Sequence, residues 1–363
     1  MQKQTALYQQ HQASGGHIVN FHGWSMPLHY GSQLEEHHAV RHTAGMFDVS
    51  HMTIVDLLGA GGRQFLRHLL ANDVDKLTHY GRALYSCMLN HQGGILDDLI
   101  VYFRAPDNYR LIVNSATRDK DLSWLQQQTE DLSVGIQERS DLSMIAIQGP
   151  QAFSKCQQVL SAAQQDAIST LQSFESVEHE NLFVGRTGYT GEDGFEILLP
   201  HKQAQQLWQQ LLDAGVQPCG LGARDSLRLE AGMMLYGQDM DETTTPFESA
   251  LAWSVALEPR DRDFIGRAAL ELQKRQGIKR KLVGLVLQDR GIMRAGQKVW
   301  CDQQVVGDIT SGGFSPTLQQ SIAYARVTTA VMDHCEVEIR GKRHAAAVVK
   351  PRFVKHGKSL LEN

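Results

Sequence analysis

The stretch Asn90-His91-Gln92-Gly93-Gly94-Ile95-Leu96-Asp97-Asp98-Leu99-Ile100-Val101-Tyr102 constrains the fold more than any other part of the chain. Gly93-Gly94 permits the positive φ of a tight turn, and the apolar, β-branched run after it reads as a strand. Two acids interrupt that run. Strand side chains alternate between faces, so Ile95, Asp97, Leu99 and Val101 share one side while Leu96, Asp98, Ile100 and Tyr102 share the other. One carboxylate must therefore point toward buried surroundings, where an unpaired anion costs free energy. Such a placement suggests a poised base or a ligand anchor. A pair of acids capping a turn in solvent is the other reading these residues allow.

A chain of 363 residues has room for two or three domains, and 42% hydrophobic with 21% charged residues is the composition of a globular protein rather than a disordered one. The 35 Lys and Arg against 40 Asp and Glu leave a formal charge of −5. The longest basic run, Lys279-Arg280-Lys281, is too short for a nucleic-acid stripe, so no nucleic-acid partner is expected. Cys87, Cys156, Cys219, Cys301 and Cys335 stand far apart with no C-x-x-C, supporting neither zinc nor a disulfide framework. A reducing cytoplasm fits. The N-terminus is polar, and no stretch approaches the ~18 apolar residues of a membrane span, so neither secretion nor membrane insertion is expected.

Along the chain, Phe21-His22-Gly23-Trp24-Ser25-Met26-Pro27-Leu28 reads as a packed loop feeding a helix near Gln33–His42. His38 and His42 on that helix are spaced for chelation, yet no third ligand follows, and no metal is expected. Thr53–Leu58 reads as a strand. Gly59-Ala60-Gly61-Gly62 starts like a dinucleotide fingerprint, but Gln64 stands where the third Gly belongs, which leaves a turn before the helix Arg63–Leu70. Ala83–Leu89, the strand after Gly93-Gly94 and Tyr109–Val113 form three closely spaced strands, implying an antiparallel sheet. Leu142–Gln148 is a further strand, followed by a Gln-rich helical stretch to about 168. Thr187-Gly188-Tyr189-Thr190-Gly191-Glu192-Asp193-Gly194-Phe195-Glu196 is a second glycine turn that runs into a strand with an early acid. A helix follows, entered through Gly220 and Gly222, closed by Gly232 and carrying Arg224 and Arg228 on one face. After a strand at Trp253, the charge-rich Gln273–Lys281 reads as a linker. Short strands from Leu282 onward, separated by Gly, Asp and Ser, indicate a small all-β barrel or sandwich.

These residues resemble the aminomethyltransferase, or T-protein, family of the glycine cleavage system. The likeness runs nearly end to end: Phe21-His22-Gly23-Trp24, Gly45-Met46-Phe47-Asp48-Val49-Ser50-His51-Met52, Gly93 to Asp98, Thr187 to Glu192, Gly222 to Gly232, and Thr310-Ser311-Gly312-Gly313-Phe314-Ser315-Pro316. It implies an α+β, three-lobed, cloverleaf-like folate-binding fold with antiparallel sheets and a C-terminal small β-barrel. Residues 1–50 and 140–273 would form a discontinuous first domain, 51–139 an inserted second and 282–363 the barrel; the change in texture near 273–282 marks the last boundary independently. The implied reaction moves a one-carbon unit from the aminomethyl-lipoyl arm of a partner H protein to tetrahydrofolate, releasing ammonia. The family's key acid would correspond to Asp98, and the resemblance implies that Tyr102 lies beside the folate. Glu196 would accept hydrogen bonds from the pterin, and Arg224 would bind a folate oxygen or carboxylate. Met52, Tyr85, Asn114, Tyr189 and Tyr236 match positions that line the pterin or aminobenzoyl channel.

A carboxylate suits that chemistry. Expelling ammonia from an S–CH2–NH3+ group leaves an electron-poor carbon for a folate nitrogen to attack, and a fixed anion in a dry site stabilises the charge, orients the nucleophile or takes its proton. A rival from another class is the folate-binding accessory protein of iron–sulfur maintenance, marked by a Lys-Gly-Cys-Tyr-x-Gly-Gln run. Here Met233-Met234-Leu235-Tyr236-Gly237-Gln238 has no Cys. Flavin-linked dimethylglycine or sarcosine oxidising proteins need a long domain for which this chain has no room, and a two-carboxylate hydrolase built on Asp98 and Glu196 is the reading independent of any resemblance.

Overall fold

The computed structural model describes residues 2–129 and 132–361. Its contacts divide the chain into two compact units: Met1–Phe65, Asp75–Leu84 and Leu99–Leu227 form the first, and Leu66–Val74, Tyr85–Asp98 and Arg228–Asn363 the second.

The first unit contains a six-stranded sheet in the order Ser176–His179, Leu182–Gly185, Gly194–Pro200, Leu142–Gln148, Gly45–Asp48, Gln217–Pro218, antiparallel except for the last pair. Alternation along Gly194–Pro200 separates its two faces. Phe195, Ile197 and Leu199 enter a core with Ile145, Ile147 and the helix His201–Asp213, whose Ala204, Leu207, Trp208 and Leu211 recur at helical spacing. Leu198 enters a different cluster with Tyr102, Phe183, Ile112 and Met144. Glu196, in register with Ala146, shares Leu198's side of the strand.

The same unit holds an antiparallel ladder from Leu99–Ala105 through Asn108–Val113 and Thr53–Leu58 to Gly135–Glu138. Buried Asp56 accepts two hydrogen bonds from Arg110, at 2.7 and 2.8 Å, and one from Arg139 at 2.9 Å. Such pairing is what lets a carboxylate sit inside a sheet.

In the second unit the strand segments Tyr85–Leu89 and Ile95–Asp98 are neighbours around the Gly93 turn, where φ is +82°. Gly94 leaves no room for a side chain, since a Cβ there would stand 1.8 Å from the Glu242 carbonyl oxygen. Buried Arg262 donates to the carbonyls of Ala71 and Asn72 at 2.8 and 2.9 Å, satisfying acceptors just past the helix Gly62–Leu69. The C-terminal residues form a closed six-stranded barrel, in the order Arg280–Leu287, Gln320–Thr328, Gln304–Ser315, Lys298–Cys301, His334–Ile339, Lys342–Val349.

Two sequence-based expectations change. Trp253 is not in a strand but in the 3-10 turn Ala252–Ser254, where a short apolar run lacks a strand partner and winds locally instead. The charge-rich Gln273–Lys281 is not a free linker: the helix Arg267–Gln276 occupies its first half, burying Leu270, and the barrel strand begins at Arg280. The Gln-rich stretch is two helices, Ala152–Val159 and Ala162–Ser169, the second opened by a capping box between Ser161 and Gln164.

Candidate active site

In the first unit the site is built around Glu196, 7% exposed. Its Oε2 accepts a 2.6 Å hydrogen bond from the Thr187 hydroxyl. That proton being committed, the Tyr102 hydroxyl at 2.9 Å is the donor to Thr187, giving a directed relay Tyr102→Thr187→Glu196. Tyr102 itself is buried, its ring edge-on to Phe183 at 5.0 Å, so it supports Glu196 from within the core. Gly185 makes space for the relay, because a Cβ there would come 2.7 Å from the Tyr102 oxygen. Oε1 has no hydrogen-bond partner among the described residues. Burial pushes the Glu196 carboxyl above its ordinary range, against the Thr187 hydrogen bond and the positive charge of Arg224. The Arg224 guanidinium lies over the Tyr189 ring, 4.6 Å from its centroid.

His51 belongs to the same neighbourhood. It is buried, and desolvation with the charge of Arg224 pushes its imidazole down to about 4, against the pull of Asp48, so it is neutral at physiological pH. Its Nδ1 is buried without a hydrogen-bond partner among the described residues. Half-buried Met52 packs on the cluster that contains Tyr102. Asn114 is half-buried just past its strand, and its carbonyl accepts from the Thr117 hydroxyl at 3.1 Å.

In the second unit the two acids of the central strand differ sharply. Asp97 is fully buried, whereas Asp98 is half-buried. The inward carboxylate required by the sequence is thus Asp97, and Asp98 faces the side of the strand on which Ile100 is also half-open. Alternation separates the two acids but does not say which face is sealed. Asp98 Oδ2 accepts a 3.0 Å hydrogen bond from the Tyr85 hydroxyl, and the Tyr85 ring stacks on Trp253 with centroids 5.2 Å apart. Trp253 is 64% exposed, an open aromatic surface next to the Asp98 partner. Tyr236 donates from its hydroxyl to the Ile95 carbonyl at 3.1 Å and so anchors the start of the acid-bearing strand. Arg228, the helix neighbour of Arg224, is buried and bound to Asp239 at 2.8 Å, a structural role.

Sequence reasoning singled out neither Thr187, His51 nor Trp253. Thr187 and His51 lie inside quoted motifs, two residues from Tyr189 and one from Met52, and that adjacency was the available signal. Trp253 gave none, because its partner Tyr85 lies 168 positions away. A cavity of about 640 Å³ bordered by Leu160, Ser161, Leu207 and Gln210 contains none of these residues. Among the described residues no three His, Cys, Asp or Glu side chains converge as metal ligands, and the His38 and His42 rings stack on one another at 5.8 Å. No helix among them is long and apolar enough to cross a membrane.

An α+β unit carrying a buried, relay-supported glutamate, followed by a closed barrel, defines the class. Residues 7–259 match the GCVT N-terminal domain, residues 280–355 match the glycine cleavage T-protein C-terminal barrel domain, and the chain belongs to the glycine cleavage T-protein family. Aminomethyltransferases of Legionella pneumophila strains Paris and Philadelphia 1 are each 64% identical to it over 360 residues, 99% of this chain and 100% of the relative. The crystal structure of the glycine cleavage system aminomethyltransferase T from Bartonella henselae matches with a TM-score of 0.92, at 35% identity over 98% of this chain and 99% of that one. The activity is accordingly that of an aminomethyltransferase, and the accessory-protein alternative is not favoured.

Proposed function

We propose that the chain transfers the one-carbon unit of an aminomethyl-dihydrolipoyl group, carried by the H protein of the glycine cleavage system, to tetrahydrofolate, giving 5,10-methylenetetrahydrofolate and ammonia in the cytoplasm. The bonds of the transferred carbon to sulfur and to ammonia break, and two bonds to folate nitrogens form. The two protons those nitrogens lose leave on sulfur and on ammonia, so the reaction balances without an oxidant or a metal.

The observation that carries this reading is Glu196, whose position is held by the Tyr102–Thr187 relay while Oε1 keeps its lone pairs free. The adjacent amino and ring N–H donors of a pterin suit such a carboxylate as a two-point partner. Arg224, with Tyr189 beneath it, offers a fork of donors to a folate oxygen or carboxylate. Beside Arg224 in the first unit, Met52 and Tyr189 are suited to apolar and aromatic contact with the flat rings, and Asn114 to hydrogen bonding through its amide. Asp98, oriented by Tyr85, contributes the negative charge against which the cationic carbon forms.

The test is ammonia release from aminomethylated H protein with and without tetrahydrofolate. Release at least tenfold faster with the folate, together with methylenetetrahydrofolate formation, is the expected result. Equal rates in both arms would remove tetrahydrofolate from the reaction.

A further inference from the structure

The barrel contains a pair of thiols that the reaction does not use. We propose that Cys301 and Cys335 form a reversible cross-strand disulfide, a modification site made by exchange with small-molecule disulfides.

The strands Lys298–Cys301 and His334–Ile339 pair antiparallel, with Val299 opposite Val337 and Trp300 opposite Glu336. One step further along this register, Cys301 stands opposite Cys335. Alternation puts both sulfurs on the inner face, because Val299, Cys335 and Val337 are buried in one barrel core and Cys301 packs against it. Trp300, between them on the outer face, instead donates to Glu338. The Cys301 sulfur lies 3.4 Å from the carbonyl oxygen of His334, the residue just before Cys335. Directly opposed residues of an antiparallel pair have Cα atoms about 4.5–5.5 Å apart, within the roughly 4.4–6.8 Å a disulfide spans. All five cysteines of the chain are free thiols.

The two thiols differ in access. Cys301 ends its strand at the two-residue turn Asp302-Gln303 and is half-exposed, whereas Cys335 is 6% exposed. Exchange therefore begins at Cys301. Its thiolate attacks the small disulfide RSSR, expels one RS− and becomes a mixed disulfide. The Cys335 thiolate then attacks the Cys301 sulfur and expels the second RS−, so that two protein thiols and RSSR become one protein disulfide and two RSH. Burial raises both thiols, Cys335 to about 12, with Asp302 and Glu336 adding to the shift at Cys301. The first step accordingly quickens as pH rises.

The experiment incubates the full chain with glutathione disulfide at pH 8.5, blocks remaining thiols with N-ethylmaleimide in denaturant and maps peptides by mass spectrometry. The expected result is a Cys301–Cys335 linked peptide, a loss of two alkylation sites, a melting temperature several degrees higher and full reversal by dithiothreitol. Cys335→Ala is expected to stop at a glutathione adduct on Cys301, and Cys301→Ala to gain neither. A wild-type chain that keeps both thiols alkylatable, or holds a stable glutathione adduct on Cys301 without closing the link, overturns the proposal without reference to any variant.

Discussion

Replacing Asp98 by Asn removes one negative charge and almost nothing else. The side chain keeps its shape, and the amide oxygen can still accept the Tyr85 hydroxyl that now lies 3.0 Å from Oδ2. A carboxylate about 4 Å from a developing unit charge is worth about 4 kcal/mol at the effective dielectric of a partly buried site. Asp98 is half-buried, so solvent screening brings this nearer 3–4 kcal/mol. Turnover should therefore fall about 10²–10³-fold, while KM for tetrahydrofolate moves less than threefold and thermal unfolding stays within a degree or two. The assay is single-turnover ammonia release from aminomethylated H protein at saturating folate. A correctly folded Asp98→Asn protein that turns over within a factor of two of its parent would refute the electrostatic role. Asp97→Asn is not a neutral control, because Asp97 is fully buried and its replacement disturbs the core. Tyr85→Phe is the better companion: loss of one hydrogen bond to Asp98 should cost about 1 kcal/mol, a several-fold fall in kcat.

Glu196→Gln should raise KM for tetrahydrofolate about tenfold or more and abolish the weakening of folate affinity on acidification, which in the parent sets in above the ordinary glutamate range because burial raises this carboxyl. A group whose folded pKa is raised contributes stability at low pH and loses it as pH rises through that value, so the same variant should melt higher than its parent at pH 8 but not at pH 4. Gly94→Ala drives a methyl into the Glu242 carbonyl, which would stand 1.8 Å from it, and should cost about 3 kcal/mol or more in urea unfolding. His11→Ala takes from buried Asp48 the imidazole at 2.8 Å, and should cost about 3–5 kcal/mol by the same measure. Burial works against ionised Asp48, but the hydrogen bonds of His11, Ser50 and Thr5 hold its carboxyl below 3.8, so the stability this pair contributes is present above that pH and lost as pH falls through the lowered value.

Most elements of this protein were legible one segment at a time. Leu142–Gln148, Ala83–Leu89 and the helix Gln33–His42 fall where periodicity placed them, because each buries one face and spacing records which residues share it. Alternation likewise put Asp97 and Asp98 on opposite sides of one strand. Only packing decided that the Asp97 side is sealed and the Asp98 side half-open, since a strand carries no mark of what covers each face. The remaining decisions join residues far apart in the chain. Tyr102, Thr187 and Glu196 meet because two sheets of one unit share a core, Trp253 stacks on Tyr85 across 168 positions, and Cys301 faces Cys335 through the register of two barrel strands. Local spacing reflects covalent geometry and so can be read from sequence, whereas these contacts depend on strand pairing and core packing, which exist only once the whole chain has folded.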